Sequence, residues 1–390
     1  MREWPDLHTP VFVVDKARLT RNLQTLRAVK ERTGCRILLA QKGFAMWHLY
    51  PMMRDYLDGV CASSPYEAHL GREEFGGEVH VFAAAYSEAD IKQLLQYCDE
   101  IDFNSFGQWR AFRPLIESSL REICCGLRIN PECSTQQHGL YDPCAPKSRL
   151  GIRRVDFEGE SLQGISGLHF HTLCEQNADD LAVTLTAVEE KFGDIIPGME
   201  WMNFGGGHHI TRVDYDVDHL CELICGFRTK YDVEVYLEPG EAVALDTGVL
   251  VASVMDIVHN EMDIAILDVS CTAHMPDVLE MPYRPNVSIF EDALFPAEER
   301  RAGMPGEKGY NCRLAGHSCL AGDVIGDYSF ERELRVGDRL IFEDMAHYTM
   351  VKTTMFNGVQ HPAIATYDSD SGAYHVVRTF TYEDFKNRLS

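Results

Sequence analysis

Between Arg36 and Glu238 the chain repeats one pattern eight times: a short apolar run followed, in most intervals, by an amphipathic stretch. The runs are Arg36–Gln41, Gly59–Ala62, Val79–Ala83, Glu100–Asn104, Cys125–Asn130, Ile165–His171, Glu200–Phe204 and Val233–Glu238. Helical spacing fills the gaps, as in Pro65–Phe75, Glu88–Tyr97 and Asn177–Phe192. Runs this short suit strands rather than helices, and near-continuous apolar character marks strands covered on both faces. Eight strand–helix units in succession predict an α/β fold, a (β/α)8 TIM-type barrel.

The flanks read differently. Val11–Asp15 is strand-like, and Leu19, Leu23, Leu26 and Val29 follow at helical spacing before Gly34 stops the helix. Beyond Gly240 long amphipathic helices are scarce. Val249–Val258 and Met262–Val269 are β-rich, Met275–Gly309 is rich in Pro and Gly, and Arg339–Phe342 and Tyr374–Phe380 are further strand-like pieces. The expected division is a barrel over residues 10–245 and a mostly β domain over 246–390, with residues 1–9 open to joining the second.

Composition excludes more than it identifies. With 36 basic against 60 acidic residues, the net charge of −24 opposes nucleic acid and anionic membranes and leaves cationic ligands favoured. No apolar run reaches transmembrane length and the N-terminus lacks a signal-peptide layout. Thirteen cysteines without a CxxC pair argue against a zinc module or a disulfide framework, so no metal is expected and a reducing, cytoplasmic setting fits.

Four motifs fall at the carboxyl ends of barrel strands, where barrel enzymes keep their chemistry. Glu238-Pro239-Gly240 ends the last run and puts a carboxylate where burial is costly unless it is partnered. Lys42 ends the first run; alone it reads as a lysine snorkelling from the barrel mouth, but a partly desolvated amine there suits a Schiff base to an aldehyde cofactor. His171 reads as a flat ring for stacking, whereas His169, on the same face, reads as a satisfied core histidine. Gly205-Gly206-Gly207 follows a strand and precedes a helix near Asp216, a setting that lets backbone N–H groups approach an anion. Amine, ring, anion cradle and acid together are what pyridoxal 5′-phosphate (PLP) requires. In the second domain, Cys319 in a small-residue loop with Asp323 four residues on is either one more thiol or a proton donor to a carbanion. Tyr348 is either a core aromatic or a phosphate contact.

The ordered series Lys42, Cys61-Ala62-Ser63, His171, Gly205–Gly207, Glu238-Pro239-Gly240, Cys319/Asp323 and Tyr348 resembles the fold-type III PLP-dependent decarboxylases. That group holds the ornithine, arginine and diaminopimelate decarboxylases and shares the alanine-racemase-like barrel. His169–Glu175, Glu238–Ala242 and Ala273–Tyr283 are similar to its branch acting on carboxylated polyamines. The resemblance implies decarboxylation in polyamine biosynthesis, with Lys42 binding the PLP aldehyde, His171 on the ring and Glu238 at the pyridine nitrogen. It further implies Gly205, Gly206, Gly207, Gly240 and Tyr348 around the cofactor, and Cys319 protonating Cα. Asp323 would meet the substrate's distal ammonium, with Asp277 and Glu241 as further substrate contacts. A head-to-tail homodimer with shared active sites is implied too. One departure stands out: relatives acting on ornithine or diaminopimelate usually carry Arg after Glu-Pro-Gly, where this chain has Glu241. An acid there disfavours a substrate with a second carboxylate and is compatible with one whose far end is all amine. Ornithine, lysine or diaminopimelate as substrate, and a catalytically silent PLP-binding relative, are the alternatives.

Overall fold

The computed structural model describes residues 7–136 and 139–390, which form two compact units. One gathers Arg21–Val243; the other gathers the described residues up to Thr20 with Ala244–Ser390.

Strand β1, Val11–Asp15, is followed by the helix Lys16–Thr33, whose Leu19, Leu23, Leu26 and Val29 are all buried. Gly34 ends it at φ +67°, a left-handed conformation that glycine adopts without steric cost. The barrel strands are β2 (Arg36–Ala40), β3 (Gly59–Ala62), β4 (Glu78–Phe82), β5 (Glu100–Phe103) and β6 (Cys124–Asn130). The short β7 (Ile152–Arg153) extends β6, and β8 (Gly167–His169), β9 (Trp201–Asn203) and β10 (Glu234–Leu237) complete the series. All eight expected strands are present, within a few residues of their expected ends. They pair in parallel in the order β5-β4-β3-β2-β10-β9-β8-β6, and β5 pairs β6 to close the ring. Helices cover the outside: Glu88–Tyr97 starts on a Ser87–Asp90 capping box, Ala178–Phe192 is capped by Asn177 and Val217–Tyr231 by Asp216.

The barrel interior carries bulk from one strand into space left by its neighbours. Trp201 points inward from β9, and the facing positions on β6 and β8 are Gly126 and Gly167. A Cβ on Gly167 would lie 2.0 Å from the indole and one on Gly126 would lie 2.4 Å from it. Leu38, Trp201 and Tyr236 form the apolar plug, with Cys61 packed against it.

The second unit is a β domain. Its longest strand, β11 (Gly248–Asn260), pairs with β1 and β16 (Arg339–Glu343) over its first half and with β12 (Met262–Leu267) over its second, with a bulge between Val254 and Asp256. The remaining strands are β13 (Val287–Ile289), β14 (Tyr310–Ala315), β15 (Val324–Phe330), β17 (Ala363–Tyr367) and β18 (Tyr374–Arg378). Of these, β13, β14, β15 and β17 were not among the expected strands. β1 belongs to this sheet, between β11 and β17, whereas the expected boundary at residue 10 had put it with the barrel. All thirteen cysteines are free thiols, and among the described residues no helix is long and apolar enough to cross a membrane.

Two fully buried histidines tie stability to pH. Burial lowers His208, in the barrel unit, to about 4, and lowers His274, in the β domain, to about 3. Below the ordinary value of 6.5 the unfolded chain takes up these protons and the folded chain does not. Stability therefore falls as pH drops from 6.5 towards 3–4. Each histidine contributes a slope of about 1.4 kcal/mol per pH unit. His208→Gln should flatten the fall in urea midpoint measured at stepped pH between 6.5 and 4, and an unchanged slope would contradict the assignment. A second expectation concerns packing: Gly167→Ala should cost about 1–3 kcal/mol by overpacking. Gly226→Ala, on an open helix face with nothing within 4 Å of the new methyl, should instead gain about 1 kcal/mol. Thermal melts of the two variants, moving in opposite directions, are the check.

Candidate active site

Ring closure is what assembles the site. Because β2 pairs with β10, β10 with β9 and β9 with β8, four motifs far apart in sequence end on four neighbouring strands. In that order they are Lys42, Glu238, Gly205–Gly207 and His171. The turns after β2 and β10 touch backbone to backbone: Ala40 N–H donates to Pro239 O at 3.0 Å, and a Cβ on Gly43 would sit 2.8 Å from Gly240 Cα. Glycine at both positions is what lets the lysine turn and the Glu-Pro-Gly turn pack this closely.

A cleft of about 340 Å³, counting its open mouth, is lined by Lys42, Cys61, Ser63, Arg128, His171 and Glu238, with Ala62, Phe82 and His169 completing the wall. Lys42 Nζ lies 3.4 Å from His171 Nε2. The other ring nitrogen of His171 faces Gly206, accepting from its N–H at 3.0 Å. Burial, with the Lys42 and Arg128 charges nearby, holds His171 well below the ordinary histidine range, so its ring is neutral at physiological pH. Arg128 Nη2 donates to His171 O at 3.1 Å and its guanidinium lies over the Phe82 ring at 4.4 Å.

The triple glycine is required by closeness. Gly205 and Gly207 have φ of +68° and +84°, and a Cβ on Gly207 would lie 1.9 Å from Leu173 O. The loop is thereby pressed against the segment that carries His171. Two of its N–H groups are used within the unit, Gly205 to Asn203 Oδ1 at 2.8 Å and Gly206 to His171.

Glu238 is buried and accepts from Asn203 Nδ2 at 2.7 Å, with His169 Nε2 3.6 Å from its second oxygen. Burial pushes its carboxyl up, but His169 and the Asn203 hydrogen bond outweigh it and hold the group below the usual carboxylate value. Glu241 pairs with His209, Nε2 to Oε1 at 3.0 Å. Asn203 and Asp102 were not anticipated from sequence, and His169 was read only as core. Their one sequence signal is polarity at inward positions, where Asn203 shares its strand face with Trp201 and Asp102 shares its own with a second buried acid, Glu100.

The β domain carries the remaining expected residues. Cys319 is exposed on the loop after β14, and its N–H donates to Asn357 Oδ1 at 2.8 Å. Tyr348 is half-buried with φ +46°. Asp277 is ion-paired with Lys352, which also meets Glu280. Asp323, expected to meet a substrate ammonium, has hydrogen-bond partners within its own unit. It is buried, and its oxygens accept from Ser270 Oγ (2.7 Å), Cys271 N (2.8 Å) and Ser318 N (3.2 Å). β15 begins at the next residue and turns the carboxylate inward, so Asp323 anchors the neck of the Cys319 loop.

As a donor set, the barrel cleft suits PLP: an amine for its aldehyde, a flat uncharged ring for its face and a buried carboxylate held ionised for its pyridine nitrogen. Residues 11–346 match the family described as pyridoxal-dependent decarboxylase, C-terminal sheet domain. A carboxyaminopropylagmatine decarboxylase of Synechocystis is 44% identical over 98% of this chain and 96% of its own length. A carboxynorspermidine/carboxyspermidine decarboxylase of Campylobacter jejuni is 42% identical over 98% of each chain. The crystal structure of carboxynorspermidine decarboxylase from Campylobacter jejuni, complexed with norspermidine, superposes with a TM-score of 0.88 at 41% identity, covering 98% of this chain and all of that one. The chain belongs to the pyridoxal-dependent decarboxylases, PLP-dependent carboxy-lyases that join a (β/α)8 barrel to a β domain.

Proposed function

We propose that this protein removes the α-carboxylate of carboxynorspermidine or carboxyspermidine, yielding norspermidine or spermidine, as a cytoplasmic homodimer. The observation that carries the reading is the convergence of Lys42, Glu238, Gly205–Gly207 and His171 on four adjacent strand ends. The barrel unit Arg21–Val243 is then the PLP-binding domain. Lys42 would hold the cofactor's aldehyde carbon, His171 would cover the ring face, and Glu238 would keep a proton on the pyridine nitrogen. The Gly205–Gly207 loop and the Gly240 turn would take the phosphate end, and since Gly205 and Gly206 spend their N–H groups inside the unit, Gly207 is the loop's main donor. Tyr348 is assigned to the same phosphate.

Bound PLP supplies an electron sink for the pair left at Cα when CO₂ departs. The protein's task is to orient the scissile bond, keep the ring nitrogen protonated and return a proton to Cα. Cys319, exposed on its tethered loop, is assigned that last step, supplied across the homodimer. Glu241 supports a polycationic substrate, because with His209 it places an acid–imidazole pair where a fixed cation would be needed to receive a second carboxylate. The Synechocystis relative favours a second reading, carboxyaminopropylagmatine, whose far end is a guanidinium instead of an amine.

Mass spectrometry of products from the PLP-loaded protein separates these readings. CO₂ loss from carboxynorspermidine and carboxyspermidine is expected, with ornithine, lysine and diaminopimelate unchanged. Preference for carboxyaminopropylagmatine would install the second reading, and turnover confined to the simple amino acids would overturn both. Lys42→Ala should abolish turnover and Cys319→Ala should lower kcat by about 10²–10⁴-fold; wild-type rates in either would overturn its role. Asp323→Ala should destabilise the β domain by about 1.5–3 kcal/mol. If instead it raised KM for the polyamine with no loss of stability, Asp323 would be a substrate contact after all.

A further inference from the structure

Below the floor of the cleft, three side chains from three strands form a line across the barrel. Asp102 on β5 places Oδ2 2.8 Å from His169 Nδ1, and His169 on β8 turns its other nitrogen to Glu238 Oε2 at 3.6 Å. Asp102 and His169 are each 2% exposed and Glu238 is 9% exposed, so all three polar groups have left water. Neither ring nitrogen makes a well-aligned hydrogen bond in these contacts, so the coupling is one of charge. The ring is held edge-on by Phe82, with centroids 5.6 Å apart.

A single buried imidazole between two carboxylates has one electrostatic solution that suits both, which is a proton on each nitrogen. Asp102 lies against one edge of the imidazole and Glu238 against the other, so each ring nitrogen faces an acid. His169 in turn presents positive charge to Glu238, whose burial by itself would drive it to the neutral acid. A neutral Glu238 could not hold a proton on a pyridine nitrogen.

We propose that His169, fixed by Asp102, is a positioning residue that keeps Glu238 charged towards the cofactor's ring nitrogen. The inference rests on the reading of Glu238 given above and extends it to residues that do not touch the cofactor. Other titratable or charged groups act on Glu238 as well: Lys42 from β2's end, Cys61 from β3, His80 from β4, Glu100 from β5 and Arg128 from β6. Among those that favour its charged form, His169 has the largest influence.

Two measurements test the proposal. Infrared titration of the PLP-free protein, with the Glu238 carboxyl band identified by its loss in Glu238→Gln, reads the charge directly. His169→Gln keeps a donor but no positive charge, and should move Glu238 protonation to higher pH by about 1–3 units. Asp102→Asn should move it the same way by less, and serves if the first variant fails to fold. In the holoenzyme carrying ¹⁵N-labelled PLP, His169→Gln should shift the ring nitrogen's resonance towards the unprotonated form and raise the acid limb of the kcat profile, with KM little changed. A folded His169→Gln protein with the Glu238 band and the ¹⁵N resonance both unmoved would overturn the proposal. If Glu238→Gln itself left the ¹⁵N resonance unmoved, the fault would lie in the reading of Glu238 and the proposal would fall with it.

Discussion

Everything in the barrel unit depends on one pairing, β2 with β10. Tyr236 aligns with Arg36 and Leu237 with Ile37, so the first and last barrel strands become neighbours although about 200 residues separate them. Without that closure Lys42 and Glu238 would sit on opposite edges of an open sheet. With it, the lysine turn and the Glu-Pro-Gly turn pack through two glycines, and a rigid backbone contact sets the distance between the amine and the acid. The geometry of the chemistry is thereby inherited from the fold and not from the reach of flexible side chains, which suits a reaction that depends on orientation.

Closure also creates the electrostatic problem that the site turns to use. A parallel barrel buries its inward side chains, and here the upper layer includes Asp102, His169, Asn203, Arg128 and Glu238, all withdrawn from water. Isolated there, the Glu238 carboxylate would take up a proton; its neighbours hold it ionised. Glu238 shows the balance, since burial pushes it one way and His169 with Asn203 pushes it further the other. A polar barrel interior of this kind is weak evidence for stability. Its rationale is control over the charge state of one carboxylate.

The barrel was legible because its signal is local: its strands are short, largely apolar runs and most are followed by an amphipathic helix. The β domain was less so. β15 contains Gly326 and Asp327, which break an apolar run, and it is held by pairing with β14 across the Cys319 loop. The allegiance of β1 to the β sheet is set by partners more than 200 residues away, which no local pattern records. Among the site residues, those at strand ends were readable because position and residue type agreed. Asp102 and Asn203 sit inside strands, where a buried polar residue looks like any satisfied core group until its neighbours across the barrel are known. The inward turn of Asp323 was not legible either, because spacing from Cys319 says nothing about which way a side chain turns at the start of a strand.

The same reasoning explains why an acid can follow Glu-Pro-Gly. Lys42 and Arg128 already place positive charge near His171, whose ring is kept neutral first by burial and then by those charges. Glu241 adds no further cation and pairs with His209, two residues beyond the triple glycine. The other ring nitrogen of His209 lies 3.3 Å from Arg212, so the acid stands at one end of a short chain of polar contacts. On the function proposed above, an acid at this position favours a substrate whose far end carries amines over one that carries a second carboxylate.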